Sequence, residues 1–300
     1  VAIAAVAGLT IPKTSSRAIT SPSGTADTLE VFTKVNLSLS KLKKVVNTEG
    51  GCLAWGGVLQ LSPVDDILIK VERLLDLDGE NQLIASILSK KTAAGSTHII
   101  IDIPVGPTAK VRTKEAAKSL KKKIETVATA LGLHIQVFLT DGSQPIGRGI
   151  GPILEALDIV SVFENNPTAP KDLREKALFL SGALLEMTGK APLHQGKKMA
   201  QRILESGAAW EKFMAICKAQ GQFKLPTHKA PFNHPVYAKK SGVITQIDNR
   251  KLAKLAKLTG APTHPHAGIW FDAPIGKHIR TGDLLMTLYT ENQGELNYAL

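Results

Sequence analysis

Apolar positions open the chain in a near-continuous run over residues 1–12, then give way to a polar stretch over residues 15–25. Apolar residues at helical spacing resume over residues 26–47, and the glycines of residues 50–57 predict a turn. Residues 64–75 and 79–94 predict two helices, broken at Asp78-Gly79-Glu80. The β-branched run from His98 to Gly106 has the texture of a buried parallel strand. A helix over residues 113–131, stopped by Gly132, leads to a second strand over residues 133–139. Strand, helix, strand in that order predicts an α/β sheet, and the loop of residues 140–151 falls at the carboxyl end of a strand, where such sheets bind ligands. Helices are predicted over residues 151–159, 171–188, 196–205 and 208–220. Beyond Gln222 the texture changes to Pro, His and Lys, then to short alternating runs around one helix at residues 249–258. The fold class is therefore α/β, a mixed sheet flanked by helices, with a small α+β domain at the C-terminus.

Bulk composition narrows the possibilities. Three hundred residues with 43% apolar content support a globular protein with a sizeable core, and no apolar stretch is long enough to span a bilayer. Cys52 and Cys217, far apart and without a metal or disulfide pattern, point to a reducing compartment, and a cytoplasmic location is expected. The net charge of +11 suits phosphate-bearing substrates, nucleic acid or a lysine-rich surface. Lysines at 41–44, 118–123 and 250–257 alternate with apolar positions, the pattern of solvated helix faces. With aromatics at 5% and none among the lysines, neither a nucleic-acid nor a membrane partner is expected. The first residue is Val1 rather than Met, which suggests a processed or truncated piece.

The polar stretch carries the candidate chemistry. Residues 15–25 hold six hydroxyls, one guanidinium and one glycine, between an apolar element and a helix start. Main-chain N–H groups, hydroxyls and Arg17 together could hold a small anion. The same residue types also make an ordinary solvated turn.

Three segments resemble the pyrimidine nucleoside phosphorylase family, in the branch of type 2 thymidine phosphorylases and archaeal AMP phosphorylases. They are TSSRAITSPSGTADTLEV (residues 14–31), QLIASILSKKTAAGSTHIIIDIPVGPTAKV (82–111) and TDGSQPIGRGIGPILEALD (140–158). The C-terminal segments SGVI and HAGIWF…IRTGDLLMTLY share the likeness. The resemblance implies residues 1–62 and 96–221 as the α/β phosphorylase domain and 63–95 as the remnant of a helical lobe. Residues 222–235 would be a linker and 236–300 the C-terminal α+β domain. It implies phosphorolysis of a nucleoside: thymidine giving thymine and 2-deoxyribose 1-phosphate, or AMP giving adenine and ribose 1,5-bisphosphate. Phosphate is the co-substrate, no cofactor or metal is implied, and full-length members are homodimers. Family members also carry an N-terminal helical domain and a Lys-His-Ser-x-Gly-Gly phosphate loop. Neither occurs here, so the chain is expected to be a C-terminal fragment, inactive by itself.

Carried over residue by residue, the resemblance assigns Ser15, Ser16, Arg17, Ala18, Ile19, Thr20, Ser21 and Thr25 to the phosphate- and substrate-binding loop. Asp78 matches a proton donor to the leaving base, although an Asp before a helix is also a natural N-cap. Ser86 and, one turn on, Lys90 match base-contacting residues, and Lys110 matches a substrate-binding lysine. Lys90 and Lys91 also suit a solvated helix end. At Ile69, Lys70, Val71, Glu72 and Arg73 the Leu-Arg-Asp motif of thymidine phosphorylases is not reproduced, which favours a nucleotide or a differently read base. Glu155 matches a glutamate that helps hold a monovalent cation in related enzymes, but the loop with the other ligands is missing. His264 and His266, without a third ligand, fit a surface turn better than a metal site.

Overall fold

A computed structural model describes residues 1–58 and 80–300. Within them the α/β reading holds, with several boundaries moved. The opening apolar run divides into a short helix, α1 (Ala2–Val6), and a strand, β1 (Ile11–Ser15), with Gly8 at φ 79 turning the chain between them.

The run at residues 26–47 is not one helix. It forms α2 (Thr25–Glu30) and α3 (Leu39–Glu49), joined by an irregular segment. Phe32, Val35 and Leu37 mimic helical spacing, but their burial is tertiary. The Phe32 carbonyl accepts the Lys224 N–H and the Val35 carbonyl accepts the Trp55 N–H, both at 2.8 Å, so this backbone bonds to distant segments instead of itself. The Ser38 hydroxyl then caps α3 through the Lys41 N–H.

The predicted glycine turn is also corrected. Gly50 ends α3 at φ 73, and residues 51–55 form a strand, β2 (Gly51–Trp55), parallel to β1. Cys52, Leu53 and Ala54 are buried there, and an apolar run outweighs its flanking glycines. Gln220 closes one side of this strand: its Oε1 accepts the Leu53 N–H at 2.8 Å, and its Nε2 donates to the Lys34 and Leu53 carbonyls at 2.8 and 3.1 Å. A short 3-10 turn, Gly56–Val58, follows.

The second predicted helix of the 63–95 region is α4 (Glu80–Ala93). The next strand, β3 (His98–Val105), runs through α5 (Lys114–Ala130), capped by Thr113, into the parallel partner β4 (His134–Asp141). Among the described residues the α/β layer is thus two parallel pairs, β1–β2 and β3–β4. A two-residue strand, β5 (Gly149–Ile150), precedes α6 (Pro152–Phe163). Helices α7 (Lys171–Met187), α8 (Gly196–Glu205) and α9 (Ala208–Gln220) complete the layer. Gly182 and Gly196 let α7 and α8 touch backbone to backbone; a Cβ on Gly196 would meet the Gly182 carbonyl oxygen at 2.1 Å. The main core gathers Phe32, Leu178, Leu185, Leu204 and Ile216 with α1, and the Phe32 and Phe213 rings meet edge to face at 5.1 Å.

The C-terminal part is a four-stranded antiparallel sheet with two helices and a small two-stranded antiparallel sheet. Its strands begin with β6 (Phe232–Tyr237), inside the predicted linker. Pro235 fits because β6 is the outer strand of the sheet. The small sheet pairs β7 (Gly242–Val243) with β9 (His278–Ile279), and α10 (Asn249–Leu258) lies at its predicted position. β8 (Gly268–Phe271) and β10 (Leu284–Thr290) form the sheet's centre, and α11 (Gln293–Ala299) ends the chain. Strand β5 pairs with β8, so the sheet incorporates two residues from the α/β region. No helix among the described residues is long and apolar enough to cross a membrane.

Candidate functional site

The hydroxyl-rich segment leaves β1 and closes on itself before α2, where the Ser16 carbonyl accepts the Ala26 N–H at 3.2 Å. Gly24 permits the closure, since a Cβ there would lie 2.6 Å from the main chain of Ser16, Arg17 and Ala18. Asp27 Oδ2 accepts the N–H groups of Ala18 at 2.7 Å and Gly24 at 2.9 Å. These donors suit an anion, and in the structure they serve the chain's own carboxylate. Arg17 is engaged likewise: its fork meets Glu30 at 2.5 and 2.8 Å and Asp27 at 3.2 Å, and its guanidinium lies 5.0 Å from the Trp55 ring centre.

The residues assigned to this segment fall in different places. The Ser15 hydroxyl donates to the Ala54 carbonyl at 3.4 Å, between β1 and β2. Arg17 and Ala18 wall a cavity of about 820 Å³ shared with Lys224 and His266. Ile19 and Thr20 are exposed, and Thr25 is the first residue of α2. Ser21 lies in the wall of a different cavity, of about 520 Å³, with Ser23, the turns after β3 and β4, Glu155 and Asp158 of α6, and Asn249 of α10.

This second cavity stands where the parallel strands β3 and β4 end. Among the described residues its wall contains Asp141, Glu155 and Asp158 but no lysine or arginine. Glu155 accepts the Thr28 hydroxyl at 2.8 Å and the Gly151 N–H at 3.3 Å, and Thr28 shares a 2.9 Å bond with Ser23. Burial pushes the Glu155 carboxyl up to about 7, against the opposing pull of those bonds. Asp158, only 3% exposed, accepts the N–H groups of Arg148 at 2.6 Å and Gly149 at 2.8 Å through one oxygen. Burial raises its pKa also. The other oxygen, Oδ1, and Oδ1 of Asn249 are buried with no partner among the described residues.

Lys110 follows Ala109, which is in the same wall, and is exposed. Its turn and the one after β4 are held by the C-terminal part: the Asn249 N–H donates to the Thr108 hydroxyl at 3.1 Å, and Asn249 Nδ2 donates to the Gly142 carbonyl at 2.9 Å. Lys90 is half-buried in the last turn of α4, and Ser86 lies one turn before it. Asp78 lies outside the described residues. His264 pairs with Glu295 at 3.0 Å and His266 with the His228 carbonyl at 3.0 Å. Asp27, Thr28, Asp158 and Asn249 escaped the sequence reading. Asp27 three residues after Gly24 is a helix-start signal visible in advance, whereas the others act through tertiary approach alone.

The geometry defines an α/β domain with a cavity at the carboxyl ends of parallel strands, the place where such sheets bind ligands. The chain belongs to the glycosyl transferase family, whose a/b domain matches residues 1–210. Curated proteins are similar to it over its whole length. "Putative thymidine phosphorylase" of Legionella pneumophila (strain Corby) is 57% identical over 299 residues, and the match spans 58% of that protein. The protein of the same name from Hahella chejuensis is 54% identical, with 59% of it spanned. "Putative thymidine phosphorylase 1" of Cupriavidus necator is 54% identical, with 57% spanned. The chain therefore spans somewhat over half the length of these relatives.

Proposed function

We propose that this chain forms the sugar-binding part of a nucleoside phosphorylase acting on thymidine. Phosphate attacks C1′ of the pentose, the N-glycosidic bond breaks, and thymine leaves with 2-deoxyribose 1-phosphate. One observation carries the reading: the 520 Å³ cavity, in a glycosyl transferase domain, is walled by Asp141, Glu155 and Asp158 with no lysine or arginine among the described residues. Sugar hydroxyls are donors that such a wall satisfies. An acidic wall also favours the positive charge that develops on the ring as the bond to the base weakens. Lys110 then reaches the substrate from the turn after β3, and Ser86 and Lys90 meet the base. Asp78 protonates the leaving nitrogen. The partners are a nucleoside or nucleotide and inorganic phosphate, in a cytoplasmic homodimer, and the 300 residues alone are inactive.

AMP, giving adenine and ribose 1,5-bisphosphate, is the second reading. The sequence at residues 69–73, which lacks the Leu-Arg-Asp motif, favours it. The test is a chimera in which this chain replaces the matching region of the Legionella relative. Thymine release that requires phosphate supports the first reading, and adenine release from AMP supports the second. A folded chimera that releases neither base overturns both.

A further inference from the structure

The turn after β3, which carries Ala109 and Lys110, and the turn after β4, which carries Gly142 and Gln144, both contribute to the wall of the 520 Å³ cavity. They form one unit. The Gly142 N–H donates to the Val105 carbonyl at 2.9 Å, and a Cβ on Gly106 would meet the Gly142 carbonyl at 2.5 Å. The Lys110 turn closes on itself: the Gly106 N–H donates to the Val111 carbonyl at 3.1 Å, and the Ala109 N–H to the Gly106 carbonyl at 3.0 Å.

Asn249 bridges the two turns from the C-terminal part. It is the first residue of α10, whose N-cap Asp248 accepts the Arg250 and Lys251 N–H groups. That cap leaves the N–H of Asn249 itself unserved, and it donates outward to the Thr108 hydroxyl. The side chain serves the other turn, with Nδ2 on the Gly142 carbonyl. The amide cannot be turned over, because Oδ1 would then face that carbonyl oxygen. The place of α10 is fixed elsewhere: Leu252 and Ala256 are buried in the C-terminal core with Ile269, Phe271 and Leu288. A separate bond ties the same region, since the Ile275 N–H donates to Gln144 Oε1 at 2.7 Å. Asparagine also carries a cost at this position. Its Oδ1 is buried without a partner among the described residues, which lowers stability. An apolar side chain would avoid that loss and leave the Gly142 carbonyl untied.

We propose that Asn249 is a positioning residue for the candidate substrate site. It fastens the turn bearing Lys110 to the turn after β4, so that the C-terminal part sets where Lys110 stands at the cavity. This rests on the reading of Lys110 as a substrate-binding lysine. Asn249 touches no reacting atom and acts through the turn. The C-terminal part is thereby a component of the site rather than an appended domain: α10 supplies Leu252 and Ala253 to the cavity wall, and its first residue aligns the turns opposite.

The test uses Asn249→Ala, which removes the side-chain tie, and Asn249→Asp, which keeps the shape and loses the donor. In the 300-residue chain, amide hydrogen exchange at Gly106, Ala109 and Gly142 should quicken by roughly fivefold in both variants, with exchange in β8 and β10 unchanged. Unchanged exchange at those three amides overturns the proposal, and so does a rise with alanine that aspartate does not share. Exchange that quickens throughout β8 and β10 as well marks a general loss of stability and overturns it too. The chimera described above gives a second readout through base release. There N249A should lower kcat/KM about tenfold, but by less than about twofold in the K110A background. Effects that add in full place the action of Asn249 outside Lys110 and overturn the proposal. A parent chimera that releases no base overturns the phosphorylase reading alone, and the exchange result then decides the positioning role by itself.

Discussion

Replacing Glu155 by glutamine tests the electrostatics of the acceptor wall. Burial is the main cause that raises this carboxyl from 4.5 to about 7. At about 1.4 kcal/mol per pKa unit, the folded state bears a penalty on the order of 3 kcal/mol once Glu155 is fully ionised. The folded-state pKa lies above the unfolded one, so between these values the folded protein binds more protons than the unfolded chain. Its contribution to stability is therefore fully present below 4.5, declines as pH rises, and is lost above about 7. Glutamine carries no charge, and its carbonyl still accepts the Thr28 hydroxyl, which in the structure donates at 2.8 Å. The stability of wild type relative to E155Q should thus fall between pH 5 and 8, by about 3 kcal/mol in all. Urea unfolding of both proteins at several pH values measures that difference. A difference that stays flat across the range, or rises with pH, refutes the reasoning.

Other substitutions probe separate links. Gln220→Leu removes the partner of the Leu53 N–H and of the Lys34 carbonyl, at a cost of about 2–4 kcal/mol read by urea unfolding; a loss under about 0.5 kcal/mol would show that these groups find other partners. Phe32→Ala empties a fully buried site against Phe213 and should cost about 3–5 kcal/mol, with the melting temperature as readout. Gly24→Ala drives a Cβ against the main chain of Ser16, Arg17 and Ala18, so residues 16–24 should become protease-sensitive while the melting temperature changes little. Asp158→Ala strips the Arg148 and Gly149 N–H groups of their acceptor, costing about 2–4 kcal/mol in unfolding measurements at pH 8.

Local signals specify much of the helical framework. The helices at residues 196–205, 208–220 and 249–258 lie where they were expected, because amphipathic spacing and flanking breakers agree there. The β3–α5–β4 unit was legible for the same reason: an unbroken β-branched run, a Thr cap and a Gly stop are each local. Residues 31–38 were not, since Phe32 and Val35 satisfy helical spacing while their carbonyls bond to Lys224 and Trp55. Nothing within a short window distinguishes those two states. β2 failed likewise, because glycine content outvoted three buried residues whose partners lie in β1 and α9.

The candidate site shows the same division at the level of chemistry. Residue types in the hydroxyl-rich segment announced donors for an anion, but the anion they meet is Asp27, two residues beyond Thr25 in the same chain. A carboxylate that close in sequence competes with any free anion for the same N–H groups. A ligand phosphate at Ala18 or Gly24 must therefore displace Asp27 or bind on another side. The cavity at Ser21 has the opposite character: its acceptors come from α6 and α10, far apart in the chain, and converge only after folding. Composition favoured phosphate because the whole chain is basic, whereas this wall among the described residues is acidic. Net charge governs the long-range approach of a ligand, and the wall governs which group of that ligand is held. A nucleoside separates those two demands, with hydroxyls on one moiety and an electron-withdrawing base on the other, and phosphate arrives as a second molecule. Under the proposed function the acceptor-lined cavity takes the pentose end of that set, and the phosphate is left to donors from outside its wall.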